Sequence, residues 1–144
     1  MARRPLTPHW SVELGEEFES RVLDGDLQLV SAGPPVRTVW ASVYAPPLEM
    51  PLTEILSEAR DYPEQLGGGV EVIESASEDE LRLAHWYGEE IDGRLQHSLF
   101  TYTARRGELV SLTFISDSAD DKQWALDTWA TLEFQRDPHP ESFA

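Results

Sequence analysis

Hydrophobic and polar positions alternate most regularly in the segment Leu81–Ser116, which predicts three antiparallel strands joined by tight turns. Asp92-Gly93 has the composition of a type I′ turn, and such a turn would fix the register of the first two strands. Arg106-Gly107 is predicted to form the second turn. In this register, hydrophobic side chains occupy both faces of the sheet, so both faces have to be covered.

The register divides the large side chains of these strands between two faces. The first face collects Ala84, Trp86, Leu95, Leu99, Val110, Leu112 and Phe114. The second face collects Leu83, His85, Tyr87, Phe100, Tyr102, Leu109 and Ile115. His85 and His97 are predicted to point to opposite faces, so they cannot bind one metal ion together.

Further strands and two helices are predicted on either side of this meander. Arg37–Tyr44 is rich in β-branched and aromatic residues and is predicted to be a strand, and two or three short strands are expected in 9–30. One helix is predicted for 51–66, where Pro63 is expected to end or kink it. A second helix follows the acidic segment 116–121 and runs to about Leu132.

The predicted domain spans residues 9–134, between a loose N-terminal arm (1–8) and a flexible C-terminal tail (135–144). Gly67–Gly69 follow a helix and precede a strand, and the only lysine, Lys122, is distant, so they are interpreted as a helix stop rather than a phosphate loop. The fold class is α+β, with a mainly antiparallel sheet of six or seven strands covered by helices on both faces.

Composition limits the classes of partner. The chain has 144 residues, 40% of them hydrophobic, and a formal net charge of -16. The hydrophobic content predicts a folded domain, while the charge disfavours DNA or RNA because their phosphates would be repelled. The chain has no cysteine, which excludes disulfides and thiolate metal sites. Neither a signal peptide nor an apolar run of about 20 residues is recognisable, so a cytoplasmic location without membrane contact is expected.

The order of these elements resembles the PsbP-like α/β/α sandwich family. The resemblance depends on the glycine-punctuated meander GEEIDGRLQHSLFTYTARRGELVSLTF and the Trp-bearing last helix SADDKQWALDTWATLEF. This family includes the photosystem extrinsic protein PsbP, a Ran-binding nuclear-transport factor and small bacterial proteins. The resemblance implies a non-enzymatic binding or accessory module, and it transfers no functional residue.

No catalytic, cofactor or metal site is predicted. Neighbouring carboxylates such as Glu89 and Glu90 diverge across a strand, and a strained G-x-S-x-G turn is absent from the sequence. The aromatic residues suggest a different feature, since a helix that covers its face incompletely would leave an apolar groove with an acidic rim. The candidate residues for this groove are Trp40, Tyr44, Trp86, Glu90 and His97.

The sequence therefore favours a non-catalytic, acidic module of a bacterial cytoplasm that binds a basic protein partner, as a monomer or a homodimer. Two alternatives remain open. A secretion-type chaperone predicts a dimer with exposed apolar grooves. A small-molecule carrier or enzyme predicts a pocket between sheet and helix near Trp86 and His97.

Overall fold

The computed structural model describes residues 2–66 and 70–136. The predicted glycine stop at 67–69 and residues 137–144 of the predicted tail lie outside the described residues.

Strands make up most of the described chain. They are β1 (Ala2–Pro5), β2 (Trp10–Leu14), β3 (Glu19–Leu23), β4 (Asp26–Ser31), β5 (Arg37–Tyr44), β6 (Glu71–Ala76), β7 (Leu81–Ile91), β8 (Arg94–Arg105), β9 (Glu108–Ser116) and β10 (Glu133–Phe134). The helices are α1 (Leu52–Ile55), α2 (Ser57–Gln65) and α3 (Lys122–Ala130), and a 3-10 turn, Ala119–Asp121, leads into α3.

These strands form two antiparallel sheets. The larger has seven strands in the order β3-β4-β5-β9-β8-β7-β6, and the smaller has the order β1-β2-β10. The predicted α+β class with a mainly antiparallel sheet is confirmed. The small sheet was not predicted, because β1 belongs to the segment expected to be a loose arm. It pairs with β2 from Ala2↔Leu14 to Pro5↔Ser11, and a proline is tolerated there because β1 is an edge strand.

The predicted register of the central meander is confirmed. Asp92 and Gly93 have φ angles of 51° and 78°, the left-handed values that a type I′ turn requires. His85 pairs with Phe100, and Gly88 pairs with His97. The two histidines therefore point to opposite faces, as expected.

The two faces of the large sheet are covered to different extents. The first face packs against α3 and the small sheet, and its buried core includes Trp10, Leu29, Leu99, Leu112, Phe114 and Trp129. The second face packs against α1 and α2 in a smaller core of Leu56, Leu81, Leu83 and Ala104.

The helix predicted for 51–66 is divided at Leu56 and not at Pro63. Leu56 has φ and ψ of -93° and 4°, outside the helical range, and its side chain is completely buried against the sheet. Pro63 lies inside α2, which ends two residues later at Gln65. The predicted buried stripe is retained, because Leu52, Ile55 and Ala59 pack against the same small core as Leu56.

A partly buried ion pair attaches the start of α3 to the sheet. Arg37 on β5 donates two hydrogen bonds to Asp121, from Nε at 2.9 Å and Nη2 at 2.7 Å. The Ser116 hydroxyl donates a third at 2.5 Å. The hydrogen bonds from Arg37, and to a lesser degree that from Ser116, hold the pKa of Asp121 below its usual range despite burial.

Replacing Asp121 with Ala should lower the free energy of unfolding by about 1.5–3 kcal/mol, because Arg37 and Ser116 lose a charged acceptor. Urea unfolding followed by Trp fluorescence at pH 7 measures this loss.

Because the folded-state pKa of Asp121 is lowered, its contribution to stability is present above the unfolded pKa of about 3.9 and is lost as the pH falls below it. The difference in the free energy of unfolding between the parent protein and the Asp121→Ala variant should therefore become smaller in acid. The neighbouring exposed change Asp120→Ala should cost less than about 0.5 kcal/mol, and an equal loss for both variants would contradict the role of Asp121.

Candidate functional site

The five candidate residues divide between the two faces of the large sheet. Trp40 pairs with Thr113, which pairs with Phe100, so Trp40 lies on the second face, and Tyr44 on the same strand shares that face. Trp86 pairs with Leu99 and lies on the first face. His97, which pairs with Gly88, and Glu90, which pairs with Leu95, lie on the same face. The five residues therefore do not line one groove, because the sheet separates them.

On the first face, the aromatic pair is a packed stack. The rings of Trp86 and His97 lie 5.5 Å apart between centroids with an interplanar angle of 8°. Trp86 also packs against the main core, whereas Glu90 is exposed near the tip of the β7–β8 hairpin. Both stacked side chains are partly buried.

On the second face, α1 and α2 leave part of the sheet uncovered. The helices contact β8 and β7, while Trp40, Thr113 and Ile115 along β5 and β9 stay partly exposed. Tyr44 at the end of β5 is 55% exposed. The incomplete helix cover that the sequence suggested therefore occurs here, on the face of Trp40 and Tyr44.

Two depressions meet at Tyr44, and together we call them the Tyr44 groove. The larger, of about 600 Å³, lies between the helices and the ends of β5 and β9, and Tyr44, Ile55 and Leu109 contribute to its lining. The smaller, of about 290 Å³, lies beside the β3–β4 hairpin and includes Leu27 and Val43, which point to the first face, so the two depressions meet around the end of β5. Because both depressions share Tyr44, an extended ligand could contact this ring from either side.

The charge around the Tyr44 groove has one sign. Glu54 and Glu58 line the larger depression and Asp26 lines the smaller one. Among the described residues, no Lys, Arg or His lines either depression. Asp26 accepts a hydrogen bond of 2.7 Å from the Ser42 hydroxyl, which orients a carboxylate without neutralising it. The groove thus combines an apolar floor with an acidic rim.

An adjoining cleft of about 590 Å³ shares Met50 with the groove but has mixed charge. Arg105, Arg106 and Arg136 line it together with four carboxylates, namely Glu49, Glu78, Asp79 and Glu108. Arg105 lies 4.5 Å over the Phe134 ring and 3.6 Å from Glu80, and Arg106 Nε donates to the Leu48 carbonyl. Because Arg105 and Arg106 already make contacts within the protein and carboxylates surround them, this cleft is a weaker candidate for an anion site.

Sequence reasoning identified Tyr44 and missed the carboxylates and apolar residues that surround it. Glu54 and Glu58 could have been recognised as the polar positions flanking the buried stripe of α1 and α2. Leu109 and Ile55 could not, because their closeness to Tyr44 depends on where the helices sit on the sheet.

The described residues show no feature of a metal centre or a membrane span. In 2–66 and 70–136, no three His, Cys, Asp or Glu side chains come together as metal ligands. In the same ranges, no helix is long and apolar enough to cross a membrane.

Solved structures share this fold. A protein from Bacteroides thetaiotaomicron has a TM-score of 0.66 and 10% sequence identity, over 96% of this chain and 49% of the other. LpqN, involved in cell envelope biogenesis of Mycobacterium tuberculosis, has a TM-score of 0.54 and 14% identity, over 90% of this chain and 83% of LpqN. The chain spans about half the length of the Bacteroides protein. At these identities the likeness shows the fold alone. No family model and no curated protein matches the sequence.

Replacing Tyr44 with Ala should change the free energy of unfolding by about 0.5 kcal/mol or less, because an exposed ring contributes little to the core. In contrast, Leu112→Ala should cost about 2–5 kcal/mol, since Leu112 is completely buried. Chemical unfolding of both variants measures the difference. A loss for Tyr44→Ala as large as that for Leu112→Ala would make Tyr44 a core residue and remove it from the groove.

Proposed function

We propose that this protein is a non-catalytic binding module whose Tyr44 groove binds a basic, extended segment of a partner protein. The observation that carries the proposal is the lining of the groove, where three carboxylates surround an exposed tyrosine and no basic residue is present among the described residues. Such a groove suits a segment in which Lys or Arg alternates with apolar side chains.

The apolar and the acidic residues of the groove have different roles in this proposal. Tyr44, Ile55 and Leu109 provide apolar surface, and exposed tyrosines are among the residues that contribute most to protein interfaces. Glu54, Glu58 and Asp26 select for positive charge. The net charge of -16 extends the same preference beyond the groove, because it accelerates association with basic partners and repels acidic ones.

The PsbP-like family and the cytoplasmic location are also part of this proposal. An accessory role agrees with the resemblance to PsbP-like proteins, and we propose a cytoplasmic location. The cell-envelope role of LpqN is a property of that protein, whose likeness to this chain concerns the fold.

A secretion-type chaperone is the second candidate function. It is favoured by large hydrophobic side chains that remain exposed in the groove, including Val22 and Val43. A chaperone of this type predicts a dimer, so light scattering tests it, although the binding module is also compatible with a homodimer. A monomer would exclude the chaperone and leave the binding module.

Fluorescence anisotropy with a labelled octapeptide of alternating Lys and Leu tests the proposed groove. Tyr44→Ala and the double variant Glu54→Gln, Glu58→Gln should each weaken binding about tenfold, equivalent to about 1.4 kcal/mol. The matched control is Glu89→Gln, Glu90→Gln, which removes the same charge from the exposed hairpin and should change binding by less than about twofold.

Two further peptides separate groove binding from general charge attraction. An octapeptide of alternating Glu and Leu should not bind, and one of alternating Lys and Ser should bind more weakly because it lacks apolar side chains. Equal weakening by the groove variants and the hairpin control would show that only net charge matters. That result would overturn the proposed site.

A further inference from the structure

His85 is a buried polar residue without a partner. Its side chain is completely buried on β7, and neither ring nitrogen has a hydrogen-bond partner. These are the only buried side-chain polar atoms without a partner among the described residues. An unsatisfied buried group destabilises the state that contains it, so its place in the fold needs an explanation.

The aromatic side chains that face His85 carry no charge that could pair with a protonated imidazole. Tyr62 of α2 and Tyr102 of β8 face the ring, at centroid distances of 6.4 Å and 5.8 Å. Burial raises the pKa of Tyr102, followed by smaller effects of Tyr62 and Tyr44, so its hydroxyl stays uncharged.

The other elements around the ring also lack an available counter-charge. The neighbouring β6 strand places Val72 opposite His85, and its Glu74 is already paired with Arg60 of α2 at 2.6 Å. On β7 itself, the next residue on the same face is Tyr87. Burial accordingly lowers the pKa of His85.

The segment covering His85 is weakly attached. Within 52–65, Leu56 is the only fully buried residue. Neither α1 nor α2 has a side-chain hydrogen bond at its N-cap. The Arg60–Glu74 pair is partly exposed, and such pairs contribute little in water. Segments with few buried contacts open locally at lower cost than the whole fold.

We propose that α1 and α2 form an acid-released cover, which leaves the sheet when the imidazole of His85 takes up a proton. Release exposes His85 to water, where its charge is solvated, and removes the wall of the Tyr44 groove that contains Glu54, Ile55 and Glu58. The opening is independent of any ligand. Its effect on binding rests on the function proposed above.

The direction of the pH effect follows from the burial of His85. The open state binds a proton near the ordinary histidine pKa of about 6.5, whereas the closed state resists protonation. The closed state is therefore favoured above that pH. Below it, the opening equilibrium should rise by up to about tenfold per pH unit, until the closed state also takes up the proton.

A single cysteine in a chain that otherwise has none reports the opening. Ala59→Cys places a thiol on the partly buried side of α2, and Ser57→Cys places one at an exposed position of the same helix. The rates at which the two variants react with a pyridyl disulfide are measured from pH 7 to pH 5. The ratio of these rates cancels the intrinsic pH dependence of thiol reactivity.

The protection of the thiol in Ala59→Cys, relative to the thiol in Ser57→Cys, should fall about tenfold per pH unit below pH 6.5. Adding His85→Phe should abolish this fall, whereas adding His97→Phe, on the opposite face, should leave it unchanged. A fall that persists with His85→Phe, or protection that stays constant to pH 5 in the parent, would overturn the proposal.

An NMR titration of the unsubstituted chain covers the case in which His85→Phe does not fold. Amide signals of Ser57–Gln65 should change together with the His85 ring signal. A His85 ring that titrates near pH 6.5 while those amides do not move would also overturn the acid-released cover. Neither measurement contains a peptide, so failure of the proposed binding function would not affect the result.

Discussion

The structure depends on one constraint, which is that both faces of its long strands carry large apolar side chains. Side chains alternate in direction along a strand, and the central meander has hydrophobic residues at both sets of positions. The first face is covered by α3 and an additional small sheet. The second face receives only α1 and α2, of four and nine residues. The larger depression of the Tyr44 groove and the partial exposure of Trp40 both follow from this unequal cover.

The groove is acidic because most basic residues of the chain make contacts elsewhere in the fold. Arg37, Arg60, Arg82 and Lys122 each pair with a carboxylate elsewhere in the fold. Arg82 also donates to the Trp129 and Leu132 carbonyls at the end of α3, a task for which a guanidinium with several fixed donors is suited. Because so few basic residues oppose 27 acidic ones, the carboxylates near Tyr44 remain unneutralised by the described residues.

Local signals account for what the sequence could predict. Asp92-Gly93 specifies a tight turn, which determines the register of the whole β7–β8 hairpin. Features that depend on contacts between residues far apart in the sequence could not be predicted from the sequence. The two-residue strand β10 exists only because Phe134 meets Trp10, and α1 separates from α2 because Leu56 reaches a core built by β7 and β8. The groove belongs to this second class, since it needs the position of α1 relative to Tyr44.

The segment that forms α1 and α2 links the two proposals, because it is a wall of the groove and the cover of His85. A leucine in place of His85 would extend the small core of Leu56, Leu81 and Leu83 and attach the cover more firmly. The imidazole instead leaves two polar atoms unsatisfied there, a loss of stability confined to the element that shapes the site. Stability given up at one place is often connected with function. Here it would make the strength of the cover, and with it the shape of the groove, depend on the pH.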